Sequence, residues 1–428
     1  VRTLAAWIAS FALAGATACA EPASDEPSGP APHTYRYRFE PVASAGDDDT
    51  IAVLEARTSA NNASPYDTAE LAELYLARAL RSADPADYAR SETMARRSLA
   101  VLPYPNAAPL VLAKLANARH EFRAAIQIAR DYLKRSNAPA AWSVLATAHL
   151  ALGELAEASA AAERLARARP DSSAYLTRAL VLQAQGRDAE ADFERAVALE
   201  EPGDVEGAAR TRALWARFLL RRGAYAAADA VAAEALRIDP TASLALAQRA
   251  EVALRTGKLA DARARFERAF AESRQVRYLI DQARAQELDG DLEAATSTRA
   301  QVERLVRADL QTTGLGHRLE LVEVLLDRGA LTDVAEAIPL ARAEVAARPS
   351  AETRFQLARG LARTGAHADA LVELRAAIAT GVRDARIFEL AARLERCAGN
   401  APRARLYAHE AGALDPGDPG WRGLGLIP

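Results

Sequence analysis

A six-residue signature recurs nine times along the chain, and its spacing restricts the fold more than any other feature. Each copy typically opens on Gly, usually carries Leu, Tyr or Phe at the third place, and has Ala at the sixth. The copies start at His120, Gly153, Gly186, Gly223, Gly257, Gly290, Gly329, Gly365 and Gly399, in steps of 33 to 39 residues. A unit of that size cannot bury an apolar face alone and must stack on its neighbours, so the expected product is a stacked repeat array. Such an array offers surface for binding and demands no chemistry.

Seven residues before each signature sits a second small residue: Ala113, Ala146, Ala179, Ala216, Ala250, Ala283, Val322, Ala358 and Ala392. Apolar residues nearby fall at helical spacing, as in Trp142, Leu145, Ala146 and His149, with no alternating strand pattern downstream. The signature glycine supplies the left-handed conformation that ends the first helix of a pair. Pro103, Pro170, Pro240, Pro349 and Pro416 close second helices, because Pro cannot continue one. Antiparallel helices approach closely only where small side chains meet at the crossing, which accounts for the paired alanines. The unit at Gly329 departs from this, with Val322 and Val334 in the two places. An insertion of roughly three residues in its turn would bring Ala337 into the second place. Pro339 would then fall in a first helical turn, where its missing N–H does no harm.

This arrangement resembles the tetratricopeptide repeat, a helix–turn–helix unit of roughly 34 residues. Gly257, Ala262, Phe266, Ala269 and Phe270 stand where that family's consensus has Gly, Ala, Phe, Ala and an apolar residue. The likeness runs over residues 67–416 in about ten units. Its loosest unit is 67–103, and the unit at 276–308 lacks the aromatic of the second helix. The resemblance implies an all-α solenoid, a right-handed superhelix of helix pairs. The whole run is also similar to bacterial export-signal-bearing tetratricopeptide lipoproteins, a group to which no molecular activity attaches.

At 428 residues a single core would be unusual, whereas a solenoid adds core one unit at a time. The formal charge of −3 and pI of about 6.2 argue against a nucleic-acid partner. Arg supplies nearly all the positive charge, with Lys only at 114, 134 and 258, which with the heavy use of Ala reads as a GC-rich coding sequence.

The front end reads as an export segment. Arg2 is a short basic region, and the apolar run Leu4–Ala14 leads through small residues to Cys19, too short for a membrane span. Val1 reads as a non-standard start. Ala16-Thr17-Ala18-Cys19 resembles a bacterial lipobox with Ala in place of the usual Leu, which implies lipidation at Cys19. A cleaved soluble form and an uncleaved segment are the alternatives. Ala20 rather than Asp after the cysteine implies, by that resemblance, the periplasmic side of an outer membrane where the cell has one. The Pro/Ser/Ala-rich stretch 21–32 reads as a tether. The expected organisation is a signal peptide at 1–18 and a lipidated Cys19 with tether and capping strand at 19–50. The solenoid follows at 51–416 and a tail at 417–428.

Several constellations carry bland readings. No nucleophile elbow, zinc-protease helix, phosphate-binding Gly loop or metal-spaced Cys pair occurs, so no enzyme activity, cofactor, metal or small-molecule substrate is expected. The six histidines are scattered over different units, His120 and His367 at turns and His149 at a packing position. Asp47-Asp48-Asp49-Thr50 reads as the N-terminal cap and dipole partners of a helix rather than a cation site. Cys397 reads as a buried core thiol. Tyr35-Arg-Tyr-Arg-Phe39 alternates with period two. One reading is an extended segment laid along the first helices as a cap; the other is a partner-binding strand. The cap is preferred, since the outer face of a terminal repeat needs covering.

Function is expected on the concave face. By the family pattern, the residues reaching it include Arg217, Arg221, Arg255, Arg284, Arg359, Arg363 and Arg393, with Arg210, Arg277, Arg386 and Arg396. Acids there, Glu251, Glu323, Glu352 and Glu389, are fewer, so the face should be positive. The alternative is a solvated helix face in an Arg-biased sequence. The Lys/Asn pattern by which some family members grip a C-terminal carboxylate is missing. The expected role is a non-enzymatic, membrane-tethered scaffold binding a protein or peptide of acidic character. The other reading is a docking subunit of an envelope enzyme or export system without a peptide groove.

Overall fold

The computed structural model describes residues 29–41, 47–59, 63–82, 84–312 and 318–415. The signal segment 1–18, Cys19, most of the tether, His317, Pro416 and the tail 417–428 lie outside the described residues. Two helices come first, α1 (Pro32–Tyr35) and α2 (Asp47–Thr58), and twenty more follow as ten antiparallel pairs. The first five pairs are α3 (Pro65–Ser82) with α4 (Pro85–Val101), α5 (Ala108–Ala118) with α6 (Phe122–Leu133), α7 (Pro139–Ala151) with α8 (Leu155–Ala168), α9 (Ser172–Ala184) with α10 (Glu190–Ala198), and α11 (Val205–Arg221) with α12 (Tyr225–Ile238). The last five are α13 (Ser243–Arg255) with α14 (Leu259–Ser273), α15 (Val276–Leu288) with α16 (Leu292–Thr312), α17 (Arg318–Arg328) with α18 (Leu331–Ala347), α19 (Ala351–Arg363) with α20 (His367–Ala379), and α21 (Ala385–Cys397) with α22 (Ala401–Leu414). No strand occurs among the described residues, and none of their helices is long and apolar enough to cross a membrane.

The signature residues do what their chemistry permits. All eight signature glycines have φ between 67° and 83°, and His120 takes the same left-handed turn at 61°. The crossing residues Ala113, Ala146, Ala179, Ala216, Ala250, Ala283, Val322 and Ala358 are 0% exposed, as are Ala125, Ala158, Ala228, Ala262, Ala295 and Ala370 opposite them. A methyl group there lets the two backbones close, and the larger side chains fill the space on either side. Trp215 and Phe193, both fully buried, stack with centroids 6.0 Å apart.

Two units break the pattern in ways the sequence did not reveal. In the fourth, the turn after Gly186 is longer and α10 starts at Glu190, so Ala191 is exposed and Ala189 and Phe193 fill the crossing. In the eighth, the expected turn insertion is absent. Helix α18 starts two residues after Gly329, as α8, α12 and α14 do after their glycines, and Pro339 lies inside it. Val334 and Ala337 are both buried, so the extra length is helix.

Three other expectations are corrected. Cys397 is exposed, because α21 ends there, beyond Leu394 and Glu395, which are the last of its residues in the core. Asp47 and Asp48 form the first turn of α2 rather than its cap, and Asp48 accepts from Arg78 Nη1 at 2.7 Å. Residues 36–41 form no strand and do not cover the first helices. Tyr37 is buried against Ala208, Ala209, Ala213 and Ile238 in the fifth unit. Its N–H donates to Glu234 Oε1 at 2.9 Å, and Arg212 Nε donates to the carbonyl of Tyr35 at 2.5 Å. Arg212 also holds Glu200 with both ends of its fork, at 2.5 and 3.0 Å, in a fully buried pair. The segment can reach so far because the solenoid curls: Arg81 at the end of α3 pairs with Glu206 at the start of α11.

The curl closes on itself. Arg348 Nη1 after α18 lies 3.2 Å from His120 Nδ1, and the turn after α20 lies on Gly153 and Leu155. Arg383 N donates to the carbonyl of Ala184 at 2.9 Å. Units eight to ten thus stack on units two to four.

Candidate functional site: a charged cavity inside the closed superhelix

Closure turns the expected open groove into a cavity of about 660 Å³ bounded by units four to ten. Its wall carries nine arginines, Arg187, Arg217, Arg221, Arg222, Arg255, Arg277, Arg284, Arg383 and Arg386. Seven carboxylates face them: Glu251, Asp281, Glu320, Glu323, Glu352, Asp384 and Asp415. Of the expected groove residues, Arg217, Arg221, Arg255 and Arg284 meet here with Arg277 and Arg386, and Arg359, Arg363 and Arg393 lie outside the lining. Arg359 is buried and bound to Asp327 at 2.6 Å, and Arg393 pairs with Glu389 on its own helix. Arg363 is half-buried beside Gly329, and burial and Arg359 depress its pKa.

Most of the cavity arginines are already paired with carboxylates. Arg255 donates to Glu251 at 2.8 Å and with Nη1 to both oxygens of Asp415, 160 residues away. Arg284 approaches the same Glu251 at 3.9 Å. Arg277 holds Glu323 at 2.6 Å and Asp281 at 3.1 Å. Arg386 bridges Asp384 at 2.7 Å and Glu352 at 2.6 Å, and Arg383 pairs with Glu410. These pairs join consecutive first helices: Arg277 on α15 reaches Glu323 on α17, and Arg386 on α21 reaches Glu352 on α19.

The electrostatics follow from burial against pairing. Burial pushes the Asp384 carboxyl up, but Arg386, with Arg221 behind it, holds it well below the usual range. Burial likewise raises Glu323 and Glu251, and Arg277 offsets it for the one and Arg284 and Arg255 for the other, leaving both below their ordinary values. Asp281 goes the other way: burial, with Glu251 and Glu323 nearby, outweighs Arg277 and raises it. Arg217 is the exception among the cations. Burial and then the like charges of Arg221 and Arg210 pull its pKa down to about 10. Its Nε is shut from solvent without an acceptor.

The spacing of the first-helix positions made the four arginines legible. Glu251, the carboxylate that Arg255 and Arg284 share, was legible on the same face; Asp415 was not, because it comes from a segment that meets the cavity only once the superhelix has closed. No group of His, Cys, Asp and Glu suited to a metal occurs among the described residues.

No protein-family model matches the sequence, and no curated protein does. Solved structures resemble it in shape at low identity. The Cut9–Hcn1 hetero-tetramer of APC/C matches at 13% identity and a TM-score of 0.44, over 89% of this chain and 59% of that one, so this chain spans under two thirds of its length. The human IFIT1 dimer with PPP-AAAA matches at 14% identity and 0.48, over 89% of this chain and 98% of that one. A tetratricopeptide repeat protein from Parabacteroides merdae matches at 18% identity and 0.40, over 56% and 91%. With its ten helix pairs, small residues at most crossings and a left-handed residue at nine of the ten turns, the chain folds as a solenoid of tetratricopeptide-like repeats.

Proposed function

We propose that this protein is a non-enzymatic scaffold that receives an acidic segment of a partner protein in the cavity of its closed superhelix. The observation that carries the reading is the charge imbalance of the wall, nine arginines to seven carboxylates in a chain of net charge −3. Such a surface attracts acidic groups and repels basic ones, and its long-range part weakens with salt. A volume of about 660 Å³ suits a short segment or a chain end rather than a folded domain. The test is a pull-down from envelope extract with the wild type and with Arg217→Glu/Arg221→Glu. Loss of an acidic partner with an unchanged helical circular-dichroism signal supports the reading; unchanged recovery sinks it.

The scaffold is tethered, in this reading, by lipid on Cys19, on the periplasmic side of an outer membrane where one exists. The lipobox-like Ala16-Thr17-Ala18-Cys19 and the Pro-rich stretch after it support this. Cys19→Ser would then lose lipid labelling and leave the membrane fraction, since stable attachment needs more than one acyl chain. Equal membrane association of mutant and wild type would discard the tether.

One observation favours docking by the outer edge. Leu292 and Leu331 hold the same place in units seven and eight and are 63% and 84% exposed. Their counterpart Leu155 in unit three is buried, with Gly381 of the stacked turn against it. A docked subunit would cover the two leucines as the second turn covers Leu155. Leu292→Lys/Leu331→Lys separates the readings, abolishing recovery of an edge-bound partner and sparing a cavity-bound one.

A further inference from the structure

Inside the cavity the charges sort into those that are matched and those that are not. Arg255, Arg277, Arg284, Arg383 and Arg386 each face a carboxylate. Arg217 and Arg221, one helical turn apart on α11, make no ion pair or hydrogen bond among the described residues; Arg217 is half-buried with its Nε shut from solvent, and Arg221 is exposed and acts on Asp384 only at a distance. The charges acting on Arg217 are the cations Arg221 and Arg210, with the Tyr278 phenol the only group that favours its charged form. A guanidinium partly withdrawn from water without a counter-ion, as at Arg217, is costly, and proteins keep that arrangement where something else supplies the charge.

A second, independent feature lies in the same wall. The side-chain amide of Gln183 on α9 has both its oxygen and its nitrogen shut from solvent without a partner. Buried amides are satisfied as a rule, so an orphaned amide in the same wall as the unpaired Arg217 marks a place built to hydrogen-bond a ligand group.

We propose that Arg217, Arg221 and Gln183 form an oxyanion-binding subsite, which takes one carboxylate or phosphate group of a ligand entering the cavity. The inference rests on reading the cavity as a binding surface and names the group bound there. A planar guanidinium presents two parallel N–H donors to such a group, Arg221 adds a second charge, and the Gln183 amide offers a neutral donor. Glu251, Asp281, Glu323, Glu352 and Asp415 are held by their own arginines, and Asp384, paired with Arg386, draws on Arg221 only at a distance.

The test is a thermal titration of the purified full chain with inorganic phosphate and, separately, with succinate, at ionic strength fixed with chloride. The wild type should show a saturable rise in midpoint, and the stronger of the two probes identifies which oxyanion the subsite prefers. Arg217→Gln should abolish the rise and, without probe, melt at or above the wild type, because an unmatched charge is gone. Arg277→Gln should melt lower, since it strands Asp281 and Glu323. Arg217→Lys keeps the charge and loses the fork, and should keep a weakened response even where the glutamine variant fails to fold. A rise of equal size in wild type and Arg217→Gln, or no rise in either, overturns the subsite. No rise together with intact recovery of an acidic partner overturns the subsite alone and leaves the scaffold. A saturable, Arg217-dependent rise with no partner recovered upholds the subsite and removes the scaffold.

Discussion

The main-chain N–H of Arg383 donates to the carbonyl oxygen of Ala184 at 2.9 Å, joining the turn before the tenth unit to the end of the first helix in the fourth. A purely linear array has no such bond, because each unit touches only its neighbours. This one couples unit to unit along the chain and turn to turn across the superhelix.

Gly186 tests that coupling. It has φ of +67°, and a Cβ there would lie 2.5 Å from Arg383 Cγ and 2.7 Å from its Cβ. Gly257 has φ of +75° and nothing within 4 Å of the same added atom. Gly257→Ala should therefore cost only the left-handed conformation, about 1–2 kcal/mol. Gly186→Ala should add about 1–3 kcal/mol of overpacking against Arg383. Denaturant titration ranks the two, and hydrogen exchange should loosen residues 380–386 in the Gly186 variant only. Equal costs with no distant loosening would show that the second turn does not bear on the first.

The Ala250–Ala262 crossing is the local counterpart. Both residues are 0% exposed, so Ala250→Leu has no room and should cost about 1–3 kcal/mol. Exchange protection should fall in 243–288, the unit and its neighbour, and not uniformly along the chain. A uniform fall would mean that the whole superhelix unfolds as one body.

The N-terminal segment predicts an effect far from its place in the sequence. Arg212 is 0% exposed, holds Glu200, and lies 5.5 Å from the Tyr37 ring. Arg212→Met would strand Glu200, whose carboxyl burial already raises, at a cost of about 3–5 kcal/mol. Tyr37→Ala should instead free residues 29–41 and loosen α11 and α12, with α3 and α4 unaffected. Exchange mass spectrometry resolves the two; loosening that starts in α3 would restore the capping role expected from the sequence.

What the sequence displayed, and what it hid, divides along the range of the interactions. The crossing alanines and turn glycines act within one unit, so their spacing revealed them, down to His120 standing in for Gly. The strap at Tyr37, the Asp415–Arg255 pair and the Arg383–Ala184 bond depend on small rotations accumulated over several units. No local pattern encodes that sum. The same gap explains the groove: helix position placed Arg255, Arg284 and Glu251 on the inner face, and only closure showed that Asp415 also takes up the charge of Arg255.

The cavity should loosen in acid before the rest of the solenoid. Asp384, Glu323 and Glu251 sit below their ordinary values because arginines outweigh the effect of burial. A carboxyl whose folded value is depressed contributes stability in full above its unfolded value of about 4, and loses it as pH falls through the folded value. Asp281, raised by burial, runs against this: it is least costly when protonated, and its penalty grows as pH rises. Three depressed carboxyls against one raised leave a net loss on acidification. The thermal midpoint should hold between pH 7 and pH 5 and drop below about pH 4, with exchange rising first in α15 and α21, which carry Arg277 and Arg386. Asp384→Asn removes one of the three groups, so its midpoint should start lower at pH 7 and fall less steeply in acid. A mutant curve parallel to the wild type would mean that the acid response arises elsewhere, in pairs such as Asp87 with Arg78, and that the cavity network contributes nothing to it.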